Sequence, residues 1–107
     1  MFCFREMTTV EDTGNGVRRR ILAHGGKMMA VEVSFDTGAV GPMHSHPHEQ
    51  LTCVLSGRFR FTIDGETYDV ATGDTLYKKP HVLHGCVCLE AGALLDTFTP
   101  QREDFLR

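Results

Sequence analysis

The stretch GPMHSHPHEQLTCVLSG, residues 41–57, carries the densest chemistry in the sequence. Three histidines, a glutamate and a glutamine lie between His44 and Gln50, and an apolar segment follows them. Residues two apart in a strand point to the same side, so His44 and His46 can share one cation. Imidazole is a common metal ligand, and another histidine, His84, follows a later glycine turn. The stretch therefore predicts a metal site built from strand residues.

The segments on both sides of this stretch alternate apolar and polar residues with a period of two. Positions 29, 31, 33 and 35 form one apolar face, and positions 59, 61 and 63 form another. Asp64-Gly65 is a two-residue hairpin turn signal. Eleven glycines punctuate the 107 residues. This pattern predicts an all-β sandwich or barrel, a single domain over residues 1–107, with one short helical turn after Pro100.

Composition restricts the possible partners. The net charge of −3 lacks the basic excess of a nucleic-acid-binding protein, and the one basic run, residues 18–20, is expected to be an alternating exposed strand. No stretch approaches the roughly 20 apolar residues of a membrane span, and residues 1–9 lack the apolar core of a secretory signal. We therefore expect a cytoplasmic protein with thiol cysteines. A chain this short buries a small core, so a homodimer is expected.

Strand parity leaves two questions open. Leu94, Asp96 and Phe98 share one face of the C-terminal strand, which is either the barrel interior or the solvent side. A buried aspartate among apolar residues needs a partner or a use. Cys86 and Cys88 share the parity of the last histidine, so they are either soft metal ligands or apolar core residues, and the core interpretation is favoured.

The spacing around the first histidines resembles the first motif of the cupin family. That motif is a glycine, five residues, His-x-His, three or four residues, a glutamate, six residues and a glycine. Here Gly38 precedes His44-Ser45-His46 by five residues, and Gly57 closes the motif. The glutamate slot therefore falls on Gln50 and not on Glu49.

The second cupin motif, from Gly73 to Cys88, is matched only in part. Gly73 and His84 occupy their expected slots. Lys79 stands in the proline slot with Pro80 next to it, His81 stands in the glycine slot, and Cys88 stands in the closing asparagine slot.

The resemblance implies a double-stranded β-helix, a jelly-roll barrel of about six to eight strands, with a metal inside one end. It implies one divalent ion, which could be nickel, zinc, manganese or iron, held by His44, His46, Gln50 and His84. His48 is expected at the mouth of the site, bonding there or contacting substrate, and Glu49 is expected to face solvent. Because three imidazoles and an amide carry no charge, the ion keeps its full charge and should attract an anionic substrate.

A narrower resemblance is carried by the segments NGVRRRILAHG, HSHPHEQ and LDTFTPQREDF. Together they resemble the small cupins of pectin and alginate breakdown, which open the ring of 4,5-unsaturated uronates to give 5-keto-4-deoxyuronate. This resemblance implies that Asp96 is the acid/base, that Phe98 shapes the sugar pocket, and that Arg102 binds the small anionic sugar or orders the strand. A cupin dioxygenase and a non-catalytic sugar-binding cupin are the alternatives.

Overall fold

The computed structural model describes residues 1–107 and consists mainly of strands. They are β1 (Glu11–Gly14), β2 (Val17–Gly25), β3 (Met28–Phe35), β4 (Val40–His44), β5 (Glu49–Ile63), β6 (Glu66–Ala71), β7 (Thr75–Lys78) and β8 (His84–Thr99). Two short 3-10 turns, Arg5–Met7 and Glu103–Leu106, lie outside the strands. The second confirms the helical turn predicted after Pro100. None of the helical segments has the length and apolar character needed to cross a membrane.

The strands pair antiparallel in one continuous hydrogen-bonded sheet. Its order is β1-β2-β3-β8-β5-β6, with β4 added on β8 and β7 added on β5. The long strands β5 and β8 pair with each other and with two further strands each. Each long strand therefore takes part in both walls of the barrel, which confirms the predicted all-β jelly roll.

The period-two alternation of the sequence is also confirmed. Met29, Val31 and Phe35 are buried on one face of β3, and Phe59 and Phe61 are buried on one face of β5. The Phe35 and Phe59 rings meet edge to face, with their centroids 5.3 Å apart. The turn after β5 has two consecutive residues with positive φ, at positions 64 and 65, as the Asp-Gly pair predicts.

Cys86 and Cys88 lie in the main apolar core of the barrel, with Phe35, Phe59 and Phe61. Burial raises the pKa of the Cys86 thiol to about 11. The thiol is therefore neutral at physiological pH, and the interpretation of both residues as core residues is confirmed.

The basic run at residues 18–20 lies in β2, as predicted, but its side chains are half-buried rather than exposed. Each arginine reaches an acidic side chain on another segment. The pairs are Arg18 with Asp36, Arg19 with Glu11, and Arg20 with Glu32. The expectation of an exposed strand was wrong in this respect, because ion pairing to neighbouring segments covers the run.

Two glycines allow β5 and β8 to bend together. The pairing register of the two strands shifts at this bend, and Gly57 has a φ of +81°. A Cβ on Gly57 would lie 2.5 Å from the Glu90 carbonyl oxygen, and a Cβ on Gly92 would overlap the Ser56 carbonyl. Only residues without a side chain let the two backbones come this close.

Gly92→Ala should therefore destabilise the barrel. We expect the free energy of unfolding to fall by about 1–3 kcal/mol, because the added methyl group must push two backbones apart. Urea denaturation measures the change. Gly25→Ala is the matched control, since a Cβ there meets no atom within 4 Å, and it should stay within about 0.5 kcal/mol of the unsubstituted protein. Equal losses in the two variants would contradict the packing argument.

Candidate metal centre and its cavity

Three histidine side chains converge at one end of the barrel. His44 ends β4, His84 begins β8, and the two are cross-strand partners. His46 lies in the turn that leads into β5. One ring nitrogen from each histidine lies within 4.8 Å of the other two. Since metal–imidazole bonds are about 2.0–2.1 Å long, this triad is able to hold a metal ion.

Backbone carbonyls set the tautomer of two of these rings. His44 Nδ1 lies 2.8 Å from the Pro42 carbonyl oxygen, and His84 Nδ1 lies 3.0 Å from the Val82 carbonyl oxygen. A carbonyl only accepts, so each Nδ1 carries the proton and donates it. The Nε2 lone pair of each ring is then free, which is the arrangement that a metal-binding histidine requires.

The third histidine faces two hydrogen-bond acceptors. His46 Nδ1 lies 3.2 Å from the His48 carbonyl oxygen, and His46 Nε2 lies 3.0 Å from Gln50 Oε1. A neutral imidazole has one N–H, so one of these contacts lacks a proton. Burial lowers the pKa of His46, with the charge of Arg102 as the next cause, so a second proton is disfavoured. A cation between Nε2 and Oε1 would satisfy both lone pairs, and the donor set therefore fits a metal.

A buried polar network continues from Gln50 into the barrel. Gln50 Nε2 donates to Thr52 Oγ1 at 3.3 Å, and Lys78 Nζ donates to the same oxygen at 2.9 Å. Thr52 Oγ1 donates to Asp96 Oδ1 at 2.6 Å. All four side chains are buried, and Lys78 is only 2% exposed. Burial lowers the pKa of Lys78, and the charge of Asp96 opposes this shift.

Three members of this network, Gln50, Lys78 and Asp96, line a cavity of about 300 Å³. Asp96 lines this cavity and is 8% exposed, and its neighbours Leu94 and Phe98 are buried on the same face. Strand parity left open whether this face of the C-terminal strand is the barrel interior or the solvent side, and the structure shows Asp96 inside the barrel. The polar and aromatic residues that share the cavity wall include Arg19, His44, Gln50, Phe61, Lys78, His84, Phe98, Arg102 and Phe105.

Two arginines at the same cavity both pack against one aromatic ring. The guanidinium carbon of Arg19 lies 3.8 Å from the centroid of Phe105, and that of Arg102 lies 4.2 Å from it. Arg102 is held by two bonds to the Asp104 carboxylate, at 2.9 and 3.1 Å. Cation–π contact and ion pairing together fix both guanidinium groups.

Two further polar residues of the first motif, His48 and Glu49, do not line the cavity. His48 packs against His46 and Phe98, its Nε2 bonds to the Gln101 carbonyl at 3.2 Å, and its ring does not line the cavity. Its Nδ1 is buried without a partner. Glu49 is exposed and accepts a hydrogen bond from Tyr77, as expected of a solvent-facing residue.

Three functional candidates were missing from the prediction. Thr52 shares the parity of Gln50, and this spacing could have placed it at the site. Arg19 was considered only as part of a basic run, and Lys78 not at all. Both reach the cavity from strands distant in sequence, so no local pattern indicates them.

Comparisons with known proteins cover most of the chain. The sequence model of the Cupin domain family matches residues 31–98. The chain is 41% identical over 101 residues to the pectin degradation protein KdgF of Dickeya dadantii (strain 3937), with 92% of each chain covered. The structure of KdgF from Halomonas sp. is 36% identical, with a TM-score of 0.94 over 98% of this chain and 99% of that one. A RmlC-like cupin from Shewanella frigidimarina is 44% identical, with a TM-score of 0.94 over 97% and 94% of the two chains.

The metal-free protein should lose stability in mild acid because of His84. Burial lowers the pKa of this imidazole from 6.5 to about 4. Above pH 6.5 the ring is neutral in both the folded and the unfolded state, so His84 causes no loss of stability there. As the pH falls from about 6.5 to about 4, only the unfolded state gains the proton. Protonation of this imidazole can therefore lower the free energy of unfolding by up to about 3 kcal/mol.

Urea unfolding of the metal-free protein between about pH 7 and about pH 4.5 measures this loss. His84→Gln has no imidazole at this position and should show a shallower decline over the same range. Identical pH profiles for the two proteins would contradict the assignment to His84.

Proposed function

The chain belongs to the cupin family, and from this premise we propose that it opens the ring of 4,5-unsaturated uronates from pectin or alginate, giving 5-keto-4-deoxyuronate. One observation carries the proposal: a buried carboxylate, Asp96, shares a cavity with His44 and His84, two members of a histidine triad able to hold a metal. The similarity to a pectin degradation protein, at 41% identity, supports the substrate class.

The proposed metal ligands are His44, His46, Gln50 and His84, with one divalent ion. Nickel, zinc, manganese and iron all accept imidazole and amide-oxygen ligands. When bound, the ion supplies a positive charge that stabilises negative charge developing on oxygen atoms of the substrate. The ligands leave that charge uncompensated, because all four are neutral.

Asp96 is the proposed proton-transfer group. In the cyclic substrate, its carboxylate takes the proton of the C1 hydroxyl, the C1 carbonyl forms, and the C1–O5 bond breaks. The electron pair moves to O5, which leaves an enolate across C4 and C5. Asp96 returns the proton to C4, and C5 becomes a ketone. Atoms and electrons balance without an oxidant, so the reaction is an isomerisation.

Arg102 and Phe98 are proposed to bind the sugar. The Arg102 guanidinium lies at the cavity wall and can meet the uronate carboxylate through charge-assisted hydrogen bonds. Phe98 forms an apolar part of the same wall. His48 supports this arrangement from outside the cavity, since it bonds to the backbone one residue before Arg102.

A second copy of the chain is the proposed partner in solution. The outer side of β5 exposes Leu51 and Leu55, and the N-terminal segment exposes Phe2, Phe4 and Met7. Pairing of two copies would cover part of this apolar surface.

The proposed activity can be tested with an unsaturated galacturonate monomer. The metal-loaded protein should abolish the absorbance of the C4–C5 double bond, and NMR should show the linear 5-keto-4-deoxy product. Oxygen consumption in the presence of Fe²⁺ would instead support a dioxygenase. If the protein binds the sugar but none of the four metals supports turnover, the result would support a binding module and contradict the proposed reaction.

Asp96→Asn should separate chemistry from metal binding. The amide keeps the size of the side chain but cannot accept the proton, so turnover should fall by about 100- to 10,000-fold. Metal content, measured by atomic emission, should stay near one ion per chain. Asp69→Asn is the matched control, because Asp69 is ion-paired with Arg60 on the outside of the barrel. Near-normal turnover of the metal-loaded Asp96 variant would show that another group transfers the proton.

A further inference from the structure

The Thr52 hydroxyl is buried and makes three hydrogen bonds, to Lys78, Gln50 and Asp96. A hydroxyl has one proton to donate and two lone pairs that accept. Three partners therefore use its full capacity. If any of these partners changed from donor to acceptor or the reverse, one hydrogen bond of the hydroxyl would be lost. Inside the barrel, a polar group without its hydrogen bond costs the full free energy of its desolvation.

The charges of two partners fix the direction of these bonds. The Lys78 ammonium can only donate, and the ionised Asp96 carboxylate can only accept. Thr52 must therefore give its single proton to Asp96, and the short distance of 2.6 Å agrees with a bond to a charged acceptor. The lone pair that remains requires a donor, and the available group is the amide of Gln50.

This requirement determines which end of the amide faces the histidines. With its nitrogen directed at Thr52, Gln50 presents Oε1 to His46 Nε2 at 3.0 Å. The opposite orientation would point two acceptor oxygens at each other at the threonine. It would also present N–H groups to the candidate metal centre, where they would repel a cation.

We propose that Thr52 is a positioning residue with two effects: it orients the Gln50 amide so that its oxygen faces the metal, and it fixes the Asp96 carboxylate in the cavity. The inference rests on the proposed function for its second effect, and on metal binding alone for its first. Cross-strand geometry supports both effects, because Thr52 pairs directly with Asp96 and lies two residues from Gln50 on the same face.

Three variants of similar size test the first effect. Thr52→Val keeps the shape of the side chain and removes the hydroxyl, so the amide is free to turn. The dissociation constant for Zn²⁺, measured by competition with a chromogenic chelator, should rise by about 10- to 100-fold. Thr52→Ser restores the hydroxyl and should restore affinity. Thr97→Val is the matched control, a threonine in β8 directed away from the cavity, and its affinity should equal that of the unsubstituted protein.

A double-mutant cycle separates positioning from a general structural effect. A glutamate has oxygen at both ends of its head group and needs no orientation. In a Gln50→Glu background, Thr52→Val should therefore not raise the Zn²⁺ dissociation constant by more than about twofold, the usual scatter of independent substitutions. An equal weakening in both backgrounds would overturn the proposed action through Gln50.

The second effect is measured with an unsaturated galacturonate, at a saturating concentration of the candidate metal ion that supports turnover. Thr52→Val should lower kcat by about 10- to 100-fold and leave KM nearly unchanged, because the misplaced group is Asp96 and not a substrate contact. Unchanged Zn²⁺ affinity and kcat in Thr52→Val would refute the inference while leaving the proposed function intact. Absence of turnover in the unsubstituted protein with each of the four candidate metals would contradict the proposed function, and the Zn²⁺ titrations would still decide the orientation of Gln50.

Discussion

The pairing of β5 with β8 is the constraint on which the site depends. This ladder places Gln50 opposite Phe98 and Thr52 opposite Asp96 in one wall, and it continues to His84 in the other. Cross-strand partners on one face lie about 4.5–5.5 Å apart, so the register alone brings the site residues within hydrogen-bonding reach. A shift by one residue would turn Gln50 and Thr52 outward and expose Leu51 and Cys53 to the cavity.

The sequence predicted the parts of the fold that depend on local patterns. Alternation predicted the buried faces of β3 and β5, and Asp64-Gly65 predicted the hairpin turn between β5 and β6. Motif spacing indicated Gln50, and not Glu49, as the residue that faces the histidines, because the count to Gly57 passes through no ambiguous turn. In the structure Gln50 is buried, with its Oε1 3.0 Å from His46 Nε2, whereas Glu49 is exposed. That Gln50 is a metal ligand stays a prediction.

Other parts of the site could not be predicted because they depend on packing between distant strands. The parity of β8 alone allowed Asp96 to face either way, and only the hydrogen bond to Thr52 shows how the barrel accommodates it. No sequence pattern indicates a role for Lys78, yet it is buried beside Thr52 and lies 4.8 Å from the Phe61 ring centroid. Its charge compensates Asp96 only because the fold brings β7 against β5.

The same network explains why a glutamine occupies a slot that the cupin motif assigns to glutamate. A glutamate at position 50 would be a second carboxylate directed at the Thr52 hydroxyl, which has one proton and already gives it to Asp96. One carboxylate would then be buried against a lone pair, which is costly in an environment of low dielectric constant. An amide has an N–H end for Thr52 and an oxygen end for the histidines, so it serves both neighbours. A glutamine at position 50 is therefore compatible with a buried aspartate on the opposite strand, and in the proposed site a neutral ligand would leave the positive charge of the ion available to an anionic sugar.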